Sequence, residues 1–150
     1  MRKFMVLLAL CSLCLLSAAA QDFRMETRDG RQMRLAELPA DRPTLLVFYD
    51  PDCGDCRQEL FAMRHSSLLR QALSEGRLQV LAVYAEADEQ LWRATSAELP
   101  ETWTVAIART DIHSMACYDL SAMPVMYLLD GQKKIIQEDT DLYQLTGLLK

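Results

Sequence analysis

Two cysteines separated by two residues, Cys53 and Cys56, are the side chains of this chain whose types and spacing point most directly to chemistry. A Cys-x-x-Cys pair can exchange with a substrate disulfide, form a structural disulfide of its own, or bind a metal ion as thiolates. A third cysteine, Cys117, follows His113 by four residues, so a helix there would place both side chains on one face. These four residues together would make a Cys₃His zinc site, which is the metal-binding alternative.

The elements predicted around Cys53 and Cys56 favour thiol exchange. The run Thr44–Tyr49 is continuously apolar and rich in β-forming residues, which is typical of a strand buried on both faces. A helix is predicted from Cys53 to about Leu73, because apolar residues recur there at helical spacing. Backbone N–H groups at the start of a helix stabilise a thiolate on Cys53, and Cys56, one turn later, lies within reach to resolve a mixed disulfide.

Three aspartates, Asp50, Asp52 and Asp55, surround the first cysteine in sequence. Their negative charge disfavours a thiolate there and opposes the effect of the helix N-terminus. A less stabilised thiolate means a less stable reduced form, and this makes the pair a better reductant. The charge pattern therefore predicts reduction of protein disulfides rather than their formation.

The rest of the chain predicts an α/β domain. Asp29-Gly30 separates two alternating runs, Phe23–Arg28 and Arg31–Leu35, as in a β-hairpin. The later predicted elements are a strand Leu78–Tyr84, a helix Asp88–Ala97, a strand Trp103–Ala108, a helix Asp111–Tyr118, a hairpin of Val125–Leu129 and Lys134–Ile136, and a helix Thr140–Leu149. Buried strands that alternate with helices predict a central, partly parallel sheet with helices on both faces.

Composition and the first twenty residues predict one exported globular domain. The 150 residues are 51% apolar with a net charge of -5, and the acidic balance argues against nucleic acid as a partner. Residues 1–20 combine a basic start, an apolar run and the small residues Ser17–Ala20, so we expect a signal peptide that is cut after Ala20. The domain over residues 21–150 is then expected to be soluble and periplasmic, with Cys53, Cys56 and Cys117 as its cysteines.

These features together resemble the thioredoxin superfamily. The resemblance rests on a strand that leads into Cys53-Gly54-Asp55-Cys56 at a helix start, and on Met123-Pro124 before the second hairpin. The N-terminal hairpin, and Glu59 three residues after the second cysteine, are similar to secreted TlpA-like members. Asp52 departs from the family pattern, where Trp is common, and so does Val47, where thioredoxins proper have a buried acid. The implied fold is a thioredoxin-like central mixed sheet flanked by helices, extended by the N-terminal hairpin.

The resemblance also implies residue roles and partners. Cys53 is the attacking thiol, Cys56 the resolving thiol, and the two form the redox-active disulfide. Glu59 either assists proton movement near Cys56 or is only a solvated helix residue. Met123 and Pro124 are expected to shape the substrate groove, with a cis peptide bond between them. No cofactor is implied, and the expected partners are protein thiols or disulfides and a membrane protein that donates electrons.

The competing interpretation is a non-catalytic binding module with the same fold. In that case Cys53 and Cys56 form a structural disulfide, or they belong to the Cys/His metal site with His113 and Cys117. In the enzyme interpretation Cys117 is a buried core thiol. It is otherwise a thiol that pairs with a partner protein or exchanges with Cys56.

Overall fold

Seven strands form one mixed sheet in a computed structural model that describes residues 21–149. The strands are β1 (Arg24–Thr27), β2 (Gln32–Arg34), β3 (Thr44–Tyr49), β4 (Gln79–Tyr84), β5 (Thr104–Ala108), β6 (Val125–Leu129) and β7 (Ile135–Gln137). Their order across the sheet is β2-β1-β5-β4-β3-β6-β7, in which β4 runs parallel to β3 and β5 and the other neighbours are antiparallel. The mixed sheet and both hairpins are confirmed. The expected signal peptide lies outside the described residues.

Within residues 21–149, four α-helices accompany the sheet: α1 (Gly54–His65), α2 (Ser67–Ser74), α3 (Glu89–Ser96) and α4 (Leu142–Leu149). All four contribute to one hydrophobic cluster on one face of the sheet. The residues of the buried strand β3 divide between two clusters, because alternate side chains of a strand point to opposite faces of the sheet. Leu45, Val47 and Tyr49 belong to this cluster, whereas Leu46 and Phe48 belong to the cluster on the other face. No helix of residues 21–149 is both long and apolar enough to cross a membrane.

Among residues 21–149, no α-helix contributes to the hydrophobic cluster on the second face, so in this part of the chain the α-helices lie on one face and not on both as expected. The predicted helix Asp111–Tyr118 is reduced to one 3₁₀ turn, Ile112–Ser114. Asp, His, Ser and Cys have modest helix propensity, and Tyr118 instead packs its ring into an aromatic cluster with Phe48 and others. Packing against the sheet therefore overrides the weak local preference for a helix.

The predicted long helix after Cys53 is broken at Ser66, which separates α1 from α2. Ser66 has an extended backbone, and its hydroxyl accepts a hydrogen bond from the Leu69 N–H at 3.2 Å. Serine is a preferred residue at the start of a helix because its side chain satisfies an N–H that has no partner within the helix. The break leaves α1 as a twelve-residue helix that begins at the Cys-x-x-Cys pair.

The N-terminal hairpin is joined to the domain through an ion-pair network at Glu26 of β1. Its largely buried carboxylate lies 2.7 Å from Arg109 after β5 and 3.1 Å from Arg93 of α3. Hydrogen bonds from Arg109, together with both guanidinium charges, lower the pKa of Glu26. Because β1 also pairs with β5, the hairpin extends the central sheet rather than forming a separate unit.

Candidate active site

Cys53 stands directly at the N-terminus of α1, in the loop that follows β3. Its backbone N–H donates to the Asp50 carbonyl at 3.1 Å, and its sulfur accepts the Cys56 N–H at 3.2 Å. The sulfur is therefore the N-cap atom of the helix, where a backbone donor and the helix dipole stabilise negative charge. Cys53 is half-buried, so part of the residue is exposed to solvent.

Cys56 is fully buried one turn into α1. Burial, and next the hydrogen bond with Cys53, raise the pKa of Cys56 to about 12. The Asp50 N–H donates to the Cys56 sulfur at 3.5 Å and opposes this effect. Cys56 is thus a neutral thiol at pH 7, and it must lose a proton before it can attack a disulfide. Both cysteines are thiols in this structure, so the disulfide between them stays a prediction.

Met123 and Pro124 lie beside Cys53 because of the sheet topology. β6 runs antiparallel to β3, with Val125 opposite Phe48, so the residues before β6 meet the loop after β3. The Met123 carbonyl lies 3.7 Å from the Cys53 sulfur, and the Met123–Pro124 peptide bond is cis, as the resemblance implies. The structure therefore brings together residues that are 70 positions apart in the sequence.

Glu59 lines an open groove of about 550 Å³ on the Pro124 side of α1. Its Oε1 atom is buried and has no hydrogen-bond partner in the part of the chain that the structure describes. Asp55 of α1 lines the same groove, as do Asp139 and Asp141 from the segment that leads into α4. The groove next to Pro124 is therefore strongly acidic.

Comparison with known proteins identifies the family of the chain. The profile of the AhpC/TSA family matches residues 16–138, which is most of the sequence. The chain belongs to the AhpC/TSA family. No curated protein is significantly similar to this AhpC/TSA-family chain.

Solved structures show that the fold of this AhpC/TSA-family protein is thioredoxin-like. A conserved Bacteroides fragilis protein of unknown function is 34% identical with a TM-score of 0.79, over 87% of this chain and 96% of that one. A thioredoxin-like protein from Bacteroides caccae is 26% identical with a TM-score of 0.77, over 85% of this chain and 46% of that one. The thioredoxin domain of a Bacteroides vulgatus thiol-disulfide oxidoreductase is 18% identical with a TM-score of 0.69, over 87% of this chain and 91% of that one.

The Cys/His metal site of the competing interpretation is not assembled in the AhpC/TSA-family protein. Within residues 21–149, no three or more His, Cys, Asp or Glu residues are grouped so that they could hold a metal ion. The helix that would align His113 with Cys117 is absent, and His113 Nε2 lies 2.7 Å from Glu86 Oε1 instead. Cys117 packs against the hydrophobic cluster on the face opposite to that of Cys56, and burial raises the pKa of its thiol.

Sequence reasoning missed the part that the main chain of Asp50 plays in the site. Its carbonyl accepts from Cys53 and its N–H donates to Cys56, so one peptide segment holds both cysteines. The sequence carries no side-chain signal for a main-chain contact of this kind. The acidic residues before α4 were also missed, because nothing local in Asp139 or Asp141 connects them with a cysteine about 85 positions earlier.

We expect iodoacetamide to alkylate Cys53 of the reduced AhpC/TSA-family protein about a hundredfold or more faster than Cys56 at pH 7.5. The reason is that Cys56 is buried and its pKa is raised to about 12, so almost no thiolate is available. Peptide mass spectrometry over time measures both rates and separates them from Cys117. In urea the two rates should become similar, and equal rates in the folded protein would contradict the site geometry.

Proposed function

We propose that the protein is a thiol–disulfide oxidoreductase that reduces protein disulfides in the bacterial cell envelope. The observation that carries this proposal is the Cys53 sulfur at the N-terminus of α1, where it accepts the Cys56 N–H and faces the Met123 carbonyl. The Bacteroides vulgatus neighbour is named as a thiol-disulfide oxidoreductase. The proposal extends that class of activity to this chain on the geometry of its own site.

The reaction takes two thiol-exchange steps. In the first, the Cys53 thiolate attacks a substrate disulfide, its S–S bond breaks, and one substrate sulfur leaves as a thiolate while the other bonds to Cys53. In the second, Cys56 loses its proton and attacks Cys53, which releases the second substrate thiolate and leaves a Cys53–Cys56 disulfide. The substrate gains two electrons and the enzyme dithiol loses two; the two substrate thiolates are then protonated by the proton from Cys56 and by one from solvent.

The remaining site residues act on binding and on proton transfer in this proposal. Met123 and Pro124 border the Cys53 sulfur and shape the surface on which the substrate chain lies. Glu59, which shares a groove with Pro124, takes the proton of Cys56 in the second step. In this proposal Met123 and Pro124 therefore serve substrate binding, and Glu59 serves proton transfer.

Export and re-reduction complete the proposed function. Residues 1–20 have the pattern of a cleaved signal peptide, which supports release of residues 21–150 into the periplasm. An oxidising compartment does not regenerate a dithiol, so each turnover requires electrons from a partner. We assign this role to a membrane protein whose own dithiol exchanges with the Cys53–Cys56 disulfide.

The reduction potential of the Cys53–Cys56 pair tests the direction of the reaction. We expect a value below about -230 mV, close to that of thioredoxin, because the negative charges of Asp50, Asp52 and Asp55 surround the first cysteine in sequence and make the reduced form less stable. Residues 21–150 with Cys117→Ala are equilibrated in glutathione buffers, and the oxidised fraction is read by mass spectrometry. A value at or above about -180 mV would overturn the reductase assignment. If Cys53 and Cys56 cannot be oxidised and reduced reversibly, the proposal that the protein is a thiol–disulfide oxidoreductase is wrong.

A further inference from the structure

Helix α1 carries opposite charges on its two sides. Asp55 and Glu59 face the acidic groove at Pro124, whereas Arg57 and Arg64 line a different cavity. Arg57 and Arg64 are seven residues apart, which places them on one face of a helix, with Leu60 between them. The dithiol therefore lies at the end of a helix that has an acidic side and a basic side.

The cavity on the basic side has a volume of about 240 Å³ and lies between α1, α3 and the end of β3. Leu60 and Leu99 supply apolar walls, and Tyr49 and Pro51 close the end near the dithiol loop. Arg28 supports one wall, because its guanidinium donates to the Leu99 carbonyl at 2.8 Å. The space is large enough for a small polar group with a short apolar stem.

Two residues that line this cavity have a buried donor atom that finds no acceptor among the described residues. These donors are the hydroxyl of Tyr49, a residue only 3% exposed, and Nε of Arg64. The neighbouring indole N–H of Trp92 can only donate, so within residues 21–149 the hydroxyl proton of Tyr49 has no acceptor. Buried donors without acceptors are costly and rare in native proteins, so two such donors on residues that line one cavity favour a hydrogen-bond acceptor as its occupant.

The charges around the cavity favour an anion as this acceptor. Arg57 donates to the Pro51 carbonyl at 3.0 Å and Arg64 to the Glu98 carbonyl at 2.9 Å, and among the described residues neither pairs with a carboxylate. The side chain of Glu98 is the one carboxylate in the lining, and it is exposed at the rim. Two guanidinium groups and a hydroxyl donor thus outweigh one solvated acid.

We propose that this cavity binds a carboxylate of the disulfide substrate, an inference that rests on the proposed reductase function. Guanidinium groups match the planar carboxylate, and Leu60 and Leu99 match the methylene groups that carry it. Arg57 donates a hydrogen bond to the carbonyl of Pro51, which precedes Cys53 by two residues. Two residues of extended chain span at most about 7 Å, so Pro51 lies within that distance of Cys53 along the backbone. A carboxylate in the cavity therefore lies within a side-chain length or two of the disulfide under attack.

The proposal is tested with two small disulfides that differ only in charge, 3,3′-dithiodipropionate and its diamide. We expect wild-type kcat/KM to be about tenfold higher for the acid, mainly through KM, because charge-assisted hydrogen bonds are made only with the carboxylate. This preference opposes the negative net charge of the chain, so general electrostatic attraction cannot produce it. Arg57→Gln and Arg64→Gln should each bring the ratio close to one, whereas the matched variant Arg70→Gln, an exposed arginine of α2, should keep it. A wild-type ratio at or below one would overturn the proposal.

A titration that needs no turnover tests the site directly. Propionate is added to the reduced protein while the Nε–Hε signal of Arg64 is followed by NMR, with propionamide as the uncharged control. We expect propionate, but not propionamide, to shift the Arg64 signal in a saturable way, and we expect this shift to be lost in Arg57→Gln. If both compounds shift the signal equally, or if neither does, the proposed anion site is wrong. If neither disulfide is reduced, the reductase function fails while this titration still decides on the anion site.

Peptide disulfides distinguish the two sources of the carboxylate. The peptides carry Glu or Gln two residues from the cysteine, and are compared in the same assay. A preference for the Glu peptide assigns the cavity to acidic protein substrates, whereas a preference confined to dithiodipropionate assigns it to low-molecular-weight disulfides. The absence of a preference in both pairs contradicts the proposal.

Discussion

Replacing Cys53 with serine is expected to lower the reduction of protein disulfides by a factor of about a thousand or more. The Cys53 sulfur is the N-cap atom of α1, where the Cys56 N–H supports negative charge on it. A serine hydroxyl stays protonated at neutral pH and does not attack a disulfide. Cys56 does not replace it, because that thiol is buried with its pKa raised to about 12. Insulin reduction coupled to dithiothreitol measures the loss, and comparable turnover in Cys53→Ser would contradict the proposed mechanism.

The complementary variant Cys56→Ser separates attack from resolution. Cys53 still attacks the substrate, but nothing resolves the mixed disulfide, so a covalent adduct should accumulate and be visible on non-reducing gels. Cys53→Ser/Cys56→Ser should trap nothing, and Cys117→Ala should reduce insulin as the wild type does, because Cys117 packs against the opposite face. An adduct that forms through Cys117 would contradict this assignment.

The central part of the fold was predictable because its sequence signals are local. The continuous apolar run of Thr44–Tyr49 allows only a strand covered on both faces, and all six residues are buried. The position of Cys53 at a helix start was predictable because the apolar run ends at Tyr49 and apolar residues recur at helical spacing after Cys53. The resemblance added the cis bond before Pro124, which no periodicity predicts.

The two helix predictions that differ from the structure, Asp111–Tyr118 and the uninterrupted helix after Cys53, differ because of contacts that local sequence patterns do not show. The segment Asp111–Tyr118 has apolar residues at near-helical spacing, but Tyr118 packs with Phe23 and Phe48 and its hydroxyl donates to the Gln21 carbonyl. The break at Ser66 depends on a side-chain cap that competes with the continuing helix. The acidic groove and the arginine cavity combine residues from distant elements, so only the folded chain shows them.

In the proposed mechanism, Glu59 is the base that activates Cys56. It follows Cys56 by three residues in α1, which puts the two side chains on one face about one helical turn apart. Its buried Oε1 has no hydrogen-bond partner among residues 21–149, so no other side chain of that range occupies this oxygen. The resolving thiol needs such a base because burial raises its pKa to about 12.

Glu59→Gln is therefore expected to slow resolution of the mixed disulfide about a hundredfold at pH 7, while attack by Cys53 continues at the wild-type rate. Glutamine keeps the shape of the side chain but cannot take the proton. Because the pKa of Cys56 lies far above neutrality, its thiolate fraction rises about tenfold per pH unit, so the defect should shrink from pH 7 to pH 10. Quenched single-turnover assays measure both steps, with Glu75→Gln, an exposed carboxylate after α2, as the matched control. A defect of constant size at every pH would mean that Glu59 only supports the structure, since added hydroxide replaces a missing base but does not repair a displaced helix.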